Sequence, residues 1–222
     1  MKTTKIFSLI ALTLVILASC AGPSERRAEI MERLEAGEIP AEVDVFTVDA
    51  VNSTVAWLGT KIGGQHDGTI GVHHGELYVY EGDLLAGNVV IDMTRIVVLD
   101  IEDPTMNARL KGHLESDDFF SAATYPTAEF EITGIEPLDY PNEEETHRVY
   151  GNMTIKGITH GIAFNAKIII EDAWISTYAD FDLDRADWDV RFGSGRFFDN
   201  LGDNLIHDDF NLKLHIVANR NQ

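Results

Sequence analysis

The sequence predicts an all-β chain of eight or nine antiparallel strands, broken around residues 103–120 by a short helical insertion. Three observations predict it. From Phe46 onward apolar residues recur with period two, as in Val55 and Trp57, Leu77 and Val79, and Phe210, Leu212, Leu214 and Ile216; that spacing sets one face of a strand against a core. Gly63-Gly64, Asp67-Gly68, His74-Gly75 and Gly82-Asp83 punctuate the pattern as turns at hairpin spacing. In one stretch the period changes, because Met106, Leu110 and Leu114 fall four apart on one helical face. About eight strands is the number at which a sheet closes into a barrel able to hold one ligand, and closure removes exposed edges. Periodicity leaves open whether the apolar faces meet as a solid sandwich core or line a lumen.

The first segment is a targeting signal. Lys2 and Lys5 precede an apolar run from Ile6 to Leu17, closed by Leu17-Ala18-Ser19-Cys20; a charged, then apolar, then small-residue segment of this length is an export signal, too short for a membrane span. The spacing resembles the bacterial lipobox, so residues 1–19 are expected to be removed and Cys20 to carry the lipid anchor. Cys20 is the single cysteine in the chain, which rules out an intramolecular disulfide. The formal charge of −20 becomes −22 once residues 1–19 are lost. Such acidity repels nucleic acid and anionic lipid surfaces, leaving acyl chains at Cys20 as the route to a membrane.

Residues 20–45 read as a leader. Ser24 as a cap, Ile30 and Leu34 on one face, and Gly37 and Pro40 as stops predict a short charged helix, a solvated spacer in preference to a membrane-lying helix because its apolar face is narrow and its polar face mixed in sign. The folded domain is then 46–222. Its strands alternate through Val89 and Ile91 up to the helical insertion, where Asp103 is the N-cap and Pro104 takes the first helical position. Ser116 caps a second turn with Asp117 and Asp118 at its positive end, and that turn presents Phe119 and Phe120. Pro126 holds Tyr125 extended, and Ala128, Phe130 and Ile132 return the chain to strand. Val149 to Ile155, Ile162 to Ile170, Trp174 to Leu183 and Phe210 to Ile216 complete the set.

No spacing arranges a catalytic group. His73 and His74 are neighbours expected on opposite faces of a strand, and no other histidines sit at zinc-ligand spacing. Asp182, Asp184, Asp187 and Asp189 lack the glycine and terminal glutamate of a calcium loop, while Asp199, Asn200, Asp203 and Asn204 read as turn formers. Nucleophile elbow, phosphate loop and dinucleotide fingerprint are all missing from the sequence. The expectation is a protein that is not an enzyme and needs no cofactor or metal.

Taken together, Asp49 with Ser53-Thr54-Val55, His113-Leu114 with Asp118-Phe119-Phe120, Tyr125-Pro126 with Phe130, Gly151 to Thr159, Asp184-Arg185 with Trp188, and Phe197-Phe198 with Leu201-Gly202-Asp203 form a set. Over roughly residues 46–218 that set resembles the YceI-like, polyisoprenoid-binding proteins. The resemblance implies a lipocalin-like antiparallel barrel of about eight strands, exported, holding a long isoprenoid or other lipid chain in its lumen, with no established enzyme activity. With the Cys20 anchor it suggests a carrier or sequestering protein in the bacterial envelope, on the periplasmic face of the outer membrane; a homodimer is left open. The alternative is an envelope interaction module with a solid core. Candidate ligand residues are Phe119, Phe120, Tyr125 and Phe130, as a lid or wall or as a plug of the barrel end. Trp57, Phe181, Leu183 and Trp188 stand between core and contact, and Arg185 can meet a polar head group if it points inward rather than into an outer salt bridge.

Overall fold

The computed structural model describes residues 26–221, so the proposed signal and Cys20 lie outside the described residues. The chain forms β1 (Glu29–Met31), β2 (Asp44–Val48), β3 (Thr54–Lys61), β4 (Gly64–Tyr80) and β5 (Asp83–Val98), then helix α1 (Pro104–Glu115). There follow β6 (Thr127–Pro137), β7 (His147–Ile155), β8 (Ile158–Ile170), β9 (Trp174–Asp184) and β10 (Ile206–Arg220). From β3 to β10 each strand pairs antiparallel with the next, and β10 pairs back onto β3. This is the expected closed antiparallel barrel of eight strands with one short helix. β2 carries the wall on where β3 stops, pairing with the far ends of β4 and β10.

The break between β2 and β3 is pinned by Asp49. Its carboxylate accepts from the Val51 and Asn52 backbone N–H groups and from Asn52 Nδ2, and the Asn52 side chain leads the causes that hold its pKa below the usual range. Ser53 then bonds both backbone groups of Val217 on β10, which fixes the re-entry point of the chain.

Two expected turns are absent because their glycines do another job. Gly68 and Gly75 both lie inside the 17-residue β4. A Cβ on Gly68 would sit 1.8 Å from the Val97 carbonyl oxygen, and one on Gly75 would sit 2.3 Å from that of Asn88; these glycines permit close approach of strands. The turn that follows uses Glu81 and Gly82 at φ 52° and 95°, the left-handed pair of a tight hairpin. The histidine expectation also fails. The β4–β5 register steps from Val72↔Ile91 to His74↔Val90, so His73 is an extra, bulged residue. Both exposed imidazoles therefore come together, Nδ1 to Nδ1 at 2.8 Å.

The leader is not a spacer helix. Residues 29–31 add to β8 as β1, with Glu29 opposite Ala163 and Met31 opposite Gly161. Upstream, Asp182 on β9 donates its N–H to Arg26 and accepts from Ala28 N–H. β8 and β9 pair with each other only from Lys167↔Tyr178 to Ile170↔Ile175. Where they diverge, the leader fills the gap, antiparallel to β8 and bridging parallel to β9. Ala28 is buried in the core and Ile30 packs against it. Asn152 of β7 clasps both backbone groups of Leu34, and Arg27 pairs with Asp184 and Asp209. The i, i+4 pair Ile30 and Leu34 thus serves a strand and its exit, because tertiary pairing outweighs a marginal helical propensity.

At the other extreme α1 forms as expected. Asp103 accepts from Thr105 and Met106 N–H groups, and Asn107 Nδ2 ties the first turn to the Val98 and Ile101 carbonyls. Leu110 and Leu114 are half-buried, whereas Met106 is half-exposed and takes no part in the core.

Candidate functional site

Inside the barrel, alternate residues of all eight wall strands point toward the axis. Phe210, Leu212, Leu214 and Ile216 of β10 face Val149 and Met153 of β7 and Ala128, Phe130 and Ile132 of β6 across a cavity of about 120 Å³. Of its lining side chains only Thr177 is polar. Phe164 is the aromatic centre: Phe181 stacks on it at 4.1 Å between centroids and Phe130 leans against it at 5.4 Å. The lumen is a real internal space with apolar walls, not a filled sandwich.

The turn after α1 closes one end. Ser116 accepts from the Phe119 N–H through its carbonyl, and its hydroxyl accepts from the Asp118 N–H. Ser121 stands at φ 50° with its hydroxyl donating to Asp117. This tight turn drives Phe119 and Phe120 in under the helix. Phe120 lines the lumen and also a second apolar chamber of about 80 Å³, which shares Ile70 and Phe210 with it. Trp57, Ile96, Leu114, Phe119, Arg185, Ile206 and His207 also line this antechamber. Phe119 then separates the antechamber from an outer groove.

The remaining candidates separate clearly. Leu183 and Trp188 are fully buried and lie outside the lumen lining; the Trp188 indole N–H donates to the Met153 carbonyl. Tyr125 is more than a third exposed and lies over Gly157, whose Cβ would come 3.0 Å from its ring. Phe130, Phe181 and Phe120 meet in the lumen, and Trp57 joins them through the antechamber.

Arg185 does point inward. Its guanidinium is buried above the Phe119 ring, Cζ 5.7 Å from the centroid, but its donors are taken. Nε donates to His207 O at 3.2 Å, Nη1 to Val190 O at 2.9 Å, and Nη2 to Ile206 O at 3.2 Å, beside Asp208 at 3.2 Å. Burial lowers its pKa, and the charges of Asp208 and Asp184 oppose that shift. Arg185 clamps the turn after β9 to the start of β10. Its neighbour Asp209 is raised by burial, partly offset by Arg27, with the Asp184, Asp182 and Asp208 charges adding to the rise.

The outer groove brings together residues that the sequence does not group: Lys61, His66, His113, Phe192 and Phe198 come from the ends of four segments. Of these five, His113 and Phe198 lie in motifs singled out in the sequence, whereas Lys61, His66 and Phe192 do not.

A profile described as the YceI-like domain matches residues 46–218. A "UPF0312 protein" of Azotobacter vinelandii is 33% identical over 72 residues, 32% of this chain and 35% of that protein. Another, from Photorhabdus laumondii, is 32% identical over 99 residues, 44% of this chain and 47% of that one. The chain spans between a third and a half of the length of these curated relatives. Among solved structures, BcnA of Burkholderia cenocepacia superposes with a TM-score of 0.58 at 21% identity, over 77% of this chain and 99% of that one. A polyisoprenoid binding domain from Saccharophagus degradans superposes at 0.57 and 13% identity, over 81% of this chain and 100% of the other. At these identities the likeness is one of fold.

Proposed function

The chain belongs to the YceI-like domain family, and from that premise we propose that it binds a long apolar lipid of isoprenoid type in the barrel lumen and carries or sequesters it in the bacterial cell envelope. The observation that carries the proposal is the cavity: a closed barrel whose inward residues leave a continuous apolar space rather than a packed core. The solid-core interaction module calls for a filled lumen. An enzymatic reading calls for Asp, His and Arg converging in that space, where Thr177 is the polar side chain found.

Magnitudes favour a chain over a compact ligand. Burying a methylene contributes about 0.8 kcal/mol, so each five-carbon isoprene unit contributes about 4 kcal/mol before the cost of immobilisation. A space of about 120 Å³ compares with an engineered apolar cavity of about 150 Å³ that accepts benzene. By that comparison about one five-carbon unit fits it unaided. A longer chain needs Phe120 turned aside, which joins the lumen to the antechamber; Phe120 is then a gate, and the segment after α1 a lid.

The same proposal places the protein on a membrane through Cys20. Six residue steps separate Cys20 from Arg26, a reach of about 20 Å at full extension, so the barrel would be held close to the lipid source. Solvent extraction of the full-length protein purified from envelope fractions, followed by mass spectrometry, is expected to release a prenyl lipid. Absence of any bound lipid, with no uptake of added prenyl lipids by the extracted protein, refutes the proposal.

A further inference from the structure

The lumen and antechamber give a hydrocarbon chain walls on all sides and give a polar head group almost nothing. Thr177 is the polar residue of the lumen lining, and the Arg185 donors go to three carbonyls and Asp208. An oxygen atom left there without a partner would lose its hydrogen bonds to water. Just outside Phe119 the chemistry changes. The groove there, about 480 Å³, shares Phe119 and Ile206 with the antechamber, which in turn shares Phe120, Ile70 and Phe210 with the lumen. Three spaces lie end to end, with Phe120 and Phe119 as the partitions.

The groove is amphipathic. Lys61, the last residue of β3, is exposed and has no ion-pair partner among the described residues, in a chain of 37 acidic and 17 basic residues. His66 Nδ1 lies 2.8 Å from an Asp100 carboxylate oxygen. That carboxylate assigns the ring proton to Nδ1 and leaves Nε2 without a hydrogen-bond partner among the described residues. His113 stands edge-on to both Phe119 and Phe192, at 5.0 and 4.5 Å between centroids. Phe192 and Phe198 are 41% and 50% exposed, which leaves apolar surface open beside the two polar groups.

We propose that this groove is the head-group seat of the bound lipid and that it takes a head bearing an acceptor oxygen, a hydroxyl or a phosphate. Lys61 donates to that oxygen, His66 Nε2 accepts from a hydroxyl of the head, and Phe192 and Phe198 flank the first carbons of the chain. The proposal rests on the carrier reading, with the chain in the lumen behind Phe119.

The experiment compares wild-type protein and Lys61→Met for binding of squalene, geranylgeraniol and geranylgeranyl phosphate by competition with a fluorescent lipid. Lys61 is exposed and its change leaves the core untouched. The expected result is an affinity loss of about tenfold for the oxygenated probes and a change within twofold for squalene. A loss confined to the phosphate assigns an anionic head; a loss shared with the alcohol assigns a hydroxyl-type head. Unchanged affinity for both oxygenated probes, or an equal loss for squalene, overturns the head-group seat while leaving the carrier reading intact. Failure of wild-type protein to bind any of the three overturns both.

Discussion

Ala128→Leu puts the lumen to a test of sign. Ala128 lies on β6, opposite Ile91 of β5, is 6% exposed and lines the cavity of about 120 Å³. The substitution adds three carbons. If they enter open apolar space they contribute about 0.8 kcal/mol each, less about 0.5–1 kcal/mol of lost rotamer freedom, a net gain of about 1.5 kcal/mol. In a filled core the same carbons force off-rotamer packing and cost about 1–3 kcal/mol. The assay is urea denaturation of solvent-extracted protein, so that bound lipid does not add its own stabilisation. The accompanying lipid titration is expected to show affinity reduced by about tenfold or more, since the new carbons occupy volume worth two or three buried methylenes. A variant that is destabilised by more than about 1 kcal/mol and still takes up lipid as wild type does would refute the lumen as the binding space.

Arg185→Met is expected to cost about 3–5 kcal/mol, because it strands Asp208 and three carbonyls at the turn after β9. Arg185→Lys should not restore the loss, a point charge being no substitute for the fork; a denaturation midpoint for Lys equal to wild type would remove the clamp. Gly161→Ala would place a Cβ 2.3 Å from the Glu32 carbonyl oxygen and should lift the leader off β8, seen as new protease cleavage within residues 26–43 and a loss of about 1–3 kcal/mol. Gly112→Ala, in α1 with nothing within 4 Å of the new Cβ, should stabilise by about 0.5–1 kcal/mol, measured by the same denaturation. The Asp49 carboxyl is depressed below its ordinary 3.8 by its hydrogen bonds. Its contribution is therefore complete above that value and lost as pH falls through the folded pKa. The stability difference between wild type and Asp49→Asn should be present at neutral pH and disappear in that acid range; a difference constant down to pH 2 would contradict it.

What was legible in the sequence is what local chemistry decides. Asp103 and Pro104 mark the start of α1 because capping involves neighbours two and three residues away. The alternation from Phe210 to Ile216 survives intact because one face of β10 meets the lumen along its length. Gly68 and Gly75 misled because a glycine that admits a close strand and a glycine that turns the chain look identical in one dimension. His73 misled because a bulge is a property of two strands, not of one. For Arg185 the adjacent acids suggested an outer ion pair, yet its partners lie on the next strand and in the turn between. The head-group groove was invisible for the same reason: Lys61, His66, His113 and Phe192 meet only once α1 and the loop before β10 have settled over the barrel end.

The leader carries this furthest, because its partners are most distant in sequence. Glu29 meets Ala163, and Arg27 meets Asp184 and Asp209, all more than 130 residues away. The family match begins at residue 46, yet the wall of this barrel already includes Arg26. Between β8 and β9 the ladder stops at Lys167↔Tyr178, and beyond it the backbone groups of Asp182 find their partners in Arg26 and Ala28. Without the leader those groups would face solvent at a slit in the wall, and the buried Ala28 and half-buried Ile30 would leave the core open beside it. This short strand is held by three register pairs, by the Asn152 clasp on Leu34, and by the ion pairs of Arg27 with Asp184 and Asp209 and of Glu29 with Arg148. It is also the described segment closest in sequence to Cys20. Under the proposed lipid anchor at Cys20, a pull on that tether would act first on the seam between β8 and β9, so the segment proposed to hold the barrel near a membrane also keeps its side closed.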